Sequence, residues 1–338
     1  MLVAIVRRVI VIVLLVLLLG AAGATYYSYN LLQRPLQVPA GETLVEVSRG
    51  AHAKAVLREL QQQQLWSANP ELTYLASRLW AAADQLQAGV YQVQPGQTLG
   101  QFWQQLQQGR QHQFAITLVE GQTLAQWLRL LQQHPYLSDR ELQQTDALTV
   151  AVAGSDRWPS LEGLLAPDTY HFYAGTGVIE LLRTAYQTQQ QRLQAAWQQR
   201  APQLPYTEPY ELLIMASIIE KETGVSGERD IVSSVFVNRL REGMRLQSDP
   251  TTIYGIADFD GNLTRAHLRE RTPYNTYRID GLPPTPIAMP GQASLRAAAQ
   301  PAQTDYFYFV ADGSGGHVFS KTLAEHNRAV DRYQRGKH

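Results

Sequence analysis

Two carboxylates stand at the end of the most apolar stretch of this chain. Leu212 to Gly224 reads LLIMASIIEKETG, and Leu212 to Ile219 is apolar at every position except Ser217. Glu220 and Glu222 follow at once. A helix that is apolar all round is a buried helix, and Gly224 is a natural residue to end it. Thr207 is placed to cap its start, with Glu208 and Pro209 in the first turn. Glu220 then falls in the last turn, stacked over Leu213, Ala216 and Ser217. Apolar burial and the negative end of the helix dipole both favour a protonated carboxyl there. A carboxylic acid kept neutral near pH 7 is what a glycosidase uses to protonate a leaving oxygen. Against this stands the ordinary role of a Glu near a helix end, a solvated residue paired with a neighbour such as Lys221. Glu222 is the second candidate acid. Two residues along a helix turns it by about 200°, so the two carboxylates cannot serve one bond together.

The elements that must position these groups run along 338 residues with a formal net charge of +0. That length suits two domains or more with accessory segments. Balanced charge argues against nucleic acid as a partner. There is no cysteine, which excludes disulfides, thiol nucleophiles and cysteine-based zinc sites. Charged residues make up only 17% of the chain, and glutamine takes their place in stretches such as QQQRLQAAWQQR.

Arg7 and Arg8 precede an unbroken Val, Ile and Leu run from Val9 to Leu19, extended to Tyr26 and Tyr27. This pattern predicts a membrane anchor with a cytoplasmic N-terminus and an interfacial aromatic belt. Ala22-Gly23-Ala24 also fits a signal-peptide cleavage site, and either reading puts the bulk of the chain outside the cytoplasm. Pro35 and Pro39 mark a linker. The pattern G-[EQ]-T-L recurs at Gly41, Gly96 and Gly121, each time as a capping box: Thr43 with Glu46, Thr98 with Gln101, Thr123 with Gln126. Three turns reusing one good chemistry would give the same matches. The second and third lead into amphipathic helices. The segment Tyr91 to Leu99 resembles the opening of a LysM module, a small βααβ glycan-binding unit.

Further on, Phe114 to Val119 reads as a strand, and Glu162 and Asp168 lie in a turn-rich stretch where they serve either a cleft or the turn. Gly177 to Gln199 has the pattern of a packing helix. Ser226 is placed to cap the next helix, Ile231 to Leu240, and Asp249 with Pro250 to start a short one through Tyr254. Thr272 to Tyr277 places two tyrosines and Asn275 in an irregular loop, a mix suited to sugar rings and N-acetyl groups or to plugging a surface. Gly281 to Gly291 is too rich in proline for helix or central strand. Tyr306 to Phe319 forms a hairpin, and Lys321 to Arg335 a final helix. His317 and His326 lack metal-ligand spacing and read as structural. Phosphate-loop, dinucleotide, nucleophile-elbow and zincin motifs are absent from the sequence.

Taken in order, several blocks resemble the MltG (YceG-like) endolytic murein transglycosylases. They are Ala216-Ser-Ile-Ile-Glu220-Lys-Glu222-Thr, Glu228-Arg-Asp230, Val235-Phe-Val-Asn238-Arg239-Leu, Met244-Arg-Leu-Gln247-Ser248-Asp249-Pro250, Tyr254-Gly255, Tyr274-Asn275-Thr-Tyr277, Gly281-Leu-Pro-Pro, Pro290-Gly291 and Tyr308-Phe-Val-Ala-Asp-Gly313. The resemblance implies an α+β fold. Its expected parts are a cytoplasmic tail (1–8), a transmembrane anchor (9–27), a linker (28–39), a LysM-like module (40–115) and a catalytic domain with a buried catalytic helix (116–338). It implies a single-pass inner-membrane protein whose catalytic domain faces the periplasm and works beside peptidoglycan synthases. The implied reaction cuts the β-1,4 bond between N-acetylmuramic acid and N-acetylglucosamine of nascent glycan strands without water. It leaves 1,6-anhydromuramyl ends, terminates strand elongation, and needs no cofactor or metal. The family's catalytic glutamate falls on Glu220. Gln247, Asp249, Tyr274, Asn275 and Tyr277 are the expected substrate contacts. A muramidase using a second carboxylate such as Asp249, or a non-catalytic glycan-binding scaffold, would share much of this pattern.

Overall fold

A computed structural model describes residues 2–144, 147–225 and 227–336. The chain divides into two compact units. One runs through Phe114 and includes His171–Gly175; the other takes Ala115–Tyr170 and the chain from Thr176 on.

The first unit holds α1 (Leu2–Gln33), β1 (Leu44–Val47), α2 (Ala53–Gln62), α3 (Pro70–Trp80), β2 (Gly89–Gln92) and α4 (Leu99–Gln107). From Ile5 to Gln33, α1 is long and apolar enough to cross a membrane. It does not break at Tyr27, where a linker was expected. It stays helical to Gln33 because Leu31, Leu32 and Leu36 are buried in the core of the unit. β1 and β2 pair antiparallel, Leu44 opposite Gln92 and Val47 opposite Gly89, so the order β1-α2-α3-β2 starts at Leu44. The core gathers Val45, Leu57, Leu60, Tyr91, Phe102 and Trp103. Local chemistry explains the helix starts. Asn69 accepts the N–H groups of Glu71 and Leu72 ahead of Pro70, and Thr98 and Gln101 form the expected capping box. The box expected at Thr43 and Glu46 does not form. Val45 and Val47 alternate with Glu46 and bury one face of β1, and that period-two burial outweighs the turn signal.

β3 (Phe114–Leu118) pairs with β5 (Asp168–Phe172). Between them lie α5 (Leu124–Gln132), β4 (Leu137–Ser138), α6 (Arg140–Gln143) and α7 (Leu148–Ala153). β6 (Thr176–Gly177) pairs parallel with β4. Then follow α8 (Val178–Gln198), α9 (Pro209–Glu222), α10 (Arg229–Arg241), α11 (Asp249–Tyr254), α12 (Arg265–Arg269) and α13 (Gln292–Ala299). The antiparallel hairpin of β7 (Tyr308–Ala311) and β8 (His317–Ser320) and helix α14 (Leu323–Tyr333) complete the described chain.

α9 is the axis of this second unit. Every residue from Leu212 to Ile219 is buried, as the apolar run requires. α8, α10, α11 and α13 all contact it, and the alanines of α13, Ala297 to Ala299, pack in the same core. Ser217, the one polar residue of the run, is fully satisfied: its hydroxyl donates to the Ile214 carbonyl at 2.7 Å and accepts the Ile287 N–H at 3.0 Å. It thereby ties the proline-rich segment, which is irregular as expected, to the helix.

The helix ends differ in detail from the sequence reading. Glu208, not Thr207, takes the N-cap position of α9, and Thr207 instead donates its hydroxyl to Glu211. At the other end Thr223 turns extended directly after Glu222, so Gly224 makes no left-handed cap. Ser226 lies outside the described residues. Ser248 is the N-cap of α11, which shifts Asp249 into its first turn.

Replacing Ser217 with Ala should cost about 1–3 kcal/mol, because the Ile287 N–H is left buried without an acceptor. Urea unfolding of wild type and variant measures this. An unchanged midpoint would mean the segment can re-pair.

Candidate active site

α9 delivers its two carboxylates to two different places. Glu222 lines a cavity of about 480 Å3, whose wall also carries Gln247, Asp249, Tyr277, Arg239 and His317. Its Oε1 accepts a hydrogen bond from the Ser248 hydroxyl. Burial is the main cause that pushes the Glu222 carboxyl up to about 7, and the Asp249 charge adds to it; the Ser248 bond and His317 act the other way. This carboxyl is half protonated near neutrality, which suits a group that must give a proton and take one back.

The rest of the wall is held from behind. Arg239, buried in α10, donates through Nε to the Phe307 carbonyl at 2.6 Å. Through Nη1 it donates to the Arg245 and Leu246 carbonyls and, at 3.1 Å, to Gln247 Oε1. Gln247 sits at φ 54, in the left-handed region that side chains other than glycine enter at a cost. Its N–H bonds to the Thr276 carbonyl and its amide to Arg239, which hold it there. Tyr277 donates its hydroxyl to Asp249 Oδ1 at 2.7 Å, and burial followed by that bond raises the phenol further. His317 donates from Nδ1 to Glu228 Oε2 at 2.7 Å, and Glu228 also accepts the His317 N–H. The imidazole is thereby held in orientation on the cavity wall, so His317 lines the cavity as well as packing in the hairpin.

Glu220 lies elsewhere. Its side chain is 5% exposed and does not line the cavity. Its Oε2 accepts the Gly291 N–H at 2.9 Å, and its Oε1 lies 3.6 Å from the Arg229 guanidinium. Arg229 also stands 3.9 Å from Glu120, whose carboxyl is raised first by burial and then by the Glu220 charge. Lys221 reaches the Gly121 carbonyl at 3.2 Å. A side chain at Gly291 would overlap the Glu120 carboxylate, which would have to swing aside. The apolar run correctly announced a buried carboxyl, but Arg229 as its counter-cation was not legible.

Of the expected substrate contacts, Gln247, Asp249 and Tyr277 come together around Glu222. Asn275 and Tyr274 do not line this cavity. Asn275 is fully buried: its oxygen accepts from Thr252 and from the Tyr277 N–H, and its nitrogen donates to the His267 and Glu270 carbonyls. All its hydrogen-bonding capacity is used within the fold. Tyr274 bonds Thr285 and packs edge-on against Tyr254. Of the two turn carboxylates, Asp168 pairs with Arg192 at 2.6 Å. Glu162 is buried, accepting the first N–H of α5 at Leu124 and the Tyr254 hydroxyl. Among the described residues no cluster of His, Cys, Asp or Glu could hold a metal ion.

Glu222 thus shares a cavity wall with amide, phenol and imidazole groups on an α+β scaffold. Comparison with known proteins gives the family. The YceG-like family model matches residues 45–332, and the chain belongs to this family. It is 30% identical over 328 residues to an endolytic murein transglycosylase of Bacillus subtilis, covering 92% of this chain and 90% of that protein. It is 26% identical over 286 residues to one of Streptococcus pneumoniae, covering 75% of this chain and 51% of that longer protein. The crystal structure of a putative YceG-like protein from Listeria monocytogenes superposes with a TM-score of 0.55 at 28% identity, covering 85% of this chain and 99% of that one.

Glu162 makes stability depend on pH. Burial raises its carboxyl from 4.5 to about 7, so between these values the native state holds a proton that the unfolded state has lost. Stability from this group is complete below pH 4.5 and declines as pH rises through about 7, by roughly 3 kcal/mol in all. Glu222 contributes in the same direction. Urea unfolding across this range should show a shallower decline for Glu162→Gln than for wild type; parallel curves would refute the assignment.

Proposed function

We propose that this chain is a peptidoglycan lytic transglycosylase whose proton donor is Glu222. The observation that carries this is the position of Glu222, a half-buried residue whose carboxyl is poised near 7 on the cavity wall with Gln247, Asp249 and Tyr277 around it. The relatives named endolytic murein transglycosylase support the substrate class.

In this reading a glycan strand enters the cavity and protonated Glu222 gives its proton to the oxygen linking C1 of N-acetylmuramic acid to O4 of N-acetylglucosamine. The C1–O4 bond breaks and the electron pair leaves with the oxygen. Positive charge grows at C1, where the substrate's own N-acetyl oxygen stabilises it. The C6 hydroxyl then closes on C1, and its proton passes to the Glu222 carboxylate. The products are a 1,6-anhydromuramyl end and a free 4-hydroxyl, and Glu222 returns to its starting state. No water is consumed, so one acid–base carboxyl suffices. Asp249, held by Tyr277, faces the same space as a fixed negative charge suited to a cationic centre. Tyr274 and Asn275 then act through the loop that carries Tyr277.

Glu220 is the rival donor, favoured by its burial at the end of the same helix. It belongs instead to the group formed with Gly291 and Arg229, where it fastens the end of α9. We further read α1 as an inner-membrane anchor with the remainder in the periplasm, the first unit as a LysM-like glycan-binding module, and the cellular role as ending glycan strands beside a synthase.

Mass spectrometry of products from purified peptidoglycan tests this with the full-length protein in detergent. Wild type should release anhydromuramyl fragments, at a rate that falls as pH rises through about 7 and the donor loses its proton. Glu222→Gln should lose about 10²–10⁴-fold in rate, and Glu220→Gln should keep the anhydro product. The reverse pattern returns the role to Glu220. Reducing ends would mean a muramidase, and silence from wild type a scaffold.

A further inference from the structure

One face of α3 is out of place for a helix bathed in water. Leu72, Leu75 and Leu79 are 48%, 53% and 72% exposed, while Thr73, Ala76 and Ser77 on the opposite side are fully buried. Spacing of three and four residues puts the leucines on one stripe. Trp80, 47% exposed, extends the patch. Contiguous exposed apolar surface of this kind marks a contact with a partner or a membrane.

Two contacts fix where the stripe sits. The Trp80 indole N–H donates to the Ser28 hydroxyl at 3.0 Å, and its ring meets Tyr29 edge-on at 6.0 Å. Leu79 shares a groove with Tyr29, Leu32 and Gln33 of α1. The charges of Arg7 and Arg8 keep the hydrocarbon-spanning part of α1 from starting before Val9. A hydrocarbon core about 30 Å thick takes about 20 helical residues, and counting from Val9 it ends close to Ser28. Trp80 therefore docks at the far edge of the hydrocarbon, among Tyr26, Tyr27 and Tyr29, where an aromatic belt belongs. Arg34 and Arg78 stack over Tyr27 and Tyr74 nearby, cations suited to phosphate headgroups.

We propose that α3 is a second membrane contact, its leucine stripe and Trp80 seated in the headgroup–acyl boundary beside the anchor. Helices of this type lie about 5–10 Å into that boundary. The N-terminal unit is then held on the bilayer by the α1–α3 corner and cannot swing freely about a single span. The proposal rests on α1 being a span, and the experiment separates the two.

The chain has no cysteine, so single cysteines at Leu72, Leu75 and Leu79 can carry nitroxide labels without background. Full-length protein is reconstituted in phosphatidylethanolamine–phosphatidylglycerol vesicles, with Leu15→Cys as a control for the span and Gln63→Cys for the aqueous side. Power saturation compares collision with oxygen, which concentrates in lipid, and with a water-soluble nickel chelate. Oxygen should dominate at Leu15 and at all three stripe positions, and nickel at Gln63. Nickel dominating on the stripe while Leu15 stays in lipid overturns the α3 contact alone. Low access to both reagents means that protein covers the stripe, a second copy or a partner, and also overturns it. Nickel dominating at Leu15 overturns the anchor reading itself.

Discussion

The second unit depends on one constraint: α9 is apolar on every side and must be enclosed on every side. α8, α10, α11 and α13 enclose it, and the single polar group of the run, Ser217, is satisfied within the same core. A helix so enclosed is rigid, and its last turn inherits that rigidity. Carboxylates there cannot relax into water, so each must find a partner or hold its proton. Glu220 finds a guanidinium and a backbone N–H. Glu222 is poised near neutrality, because burial and the neighbouring Asp249 charge outweigh the Ser248 hydroxyl and His317, which act the other way.

The second requirement of the site is a wall that stays put. Arg239 supplies it from beneath, binding three main-chain carbonyls and Gln247 at once. This lets Gln247 remain in a conformation that a free chain would avoid. Strain stored in the backbone is common at sites where geometry must be exact to a fraction of an ångström. Asn275 does related work from within the core, fixing the loop that carries Tyr277. Residues that look like substrate contacts by type can thus be what holds the cavity wall in place.

Much of the fold was legible because local and tertiary preferences agree. The amphipathic helices after Thr98 and Thr123, the strand at Phe114, the hairpin ending in Ser320 and the irregular proline-rich segment all follow from periodicity and turn chemistry acting over a few residues. Legibility failed where two local signals competed. At Thr43 a capping box and an alternating strand overlapped, and burial of Val45 and Val47 decided the matter. After Tyr27 an apparent linker was claimed by the core of the first unit through Leu31, Leu32 and Leu36.

The sequence by itself determined that two carboxylates stand at the end of a buried helix and that they face different directions, since both follow from an apolar run and a period of 3.6 residues. Only the tertiary structure decided which of them meets a cavity and which meets a cation. Arg229, Ser248, Tyr277 and His317 come to the end of α9 from four separate places in the chain, and no local rule links them to it. The proton affinity of an enclosed acid is set by these neighbours through space, which is why the different surroundings of Glu220 and Glu222 could not be read along the chain.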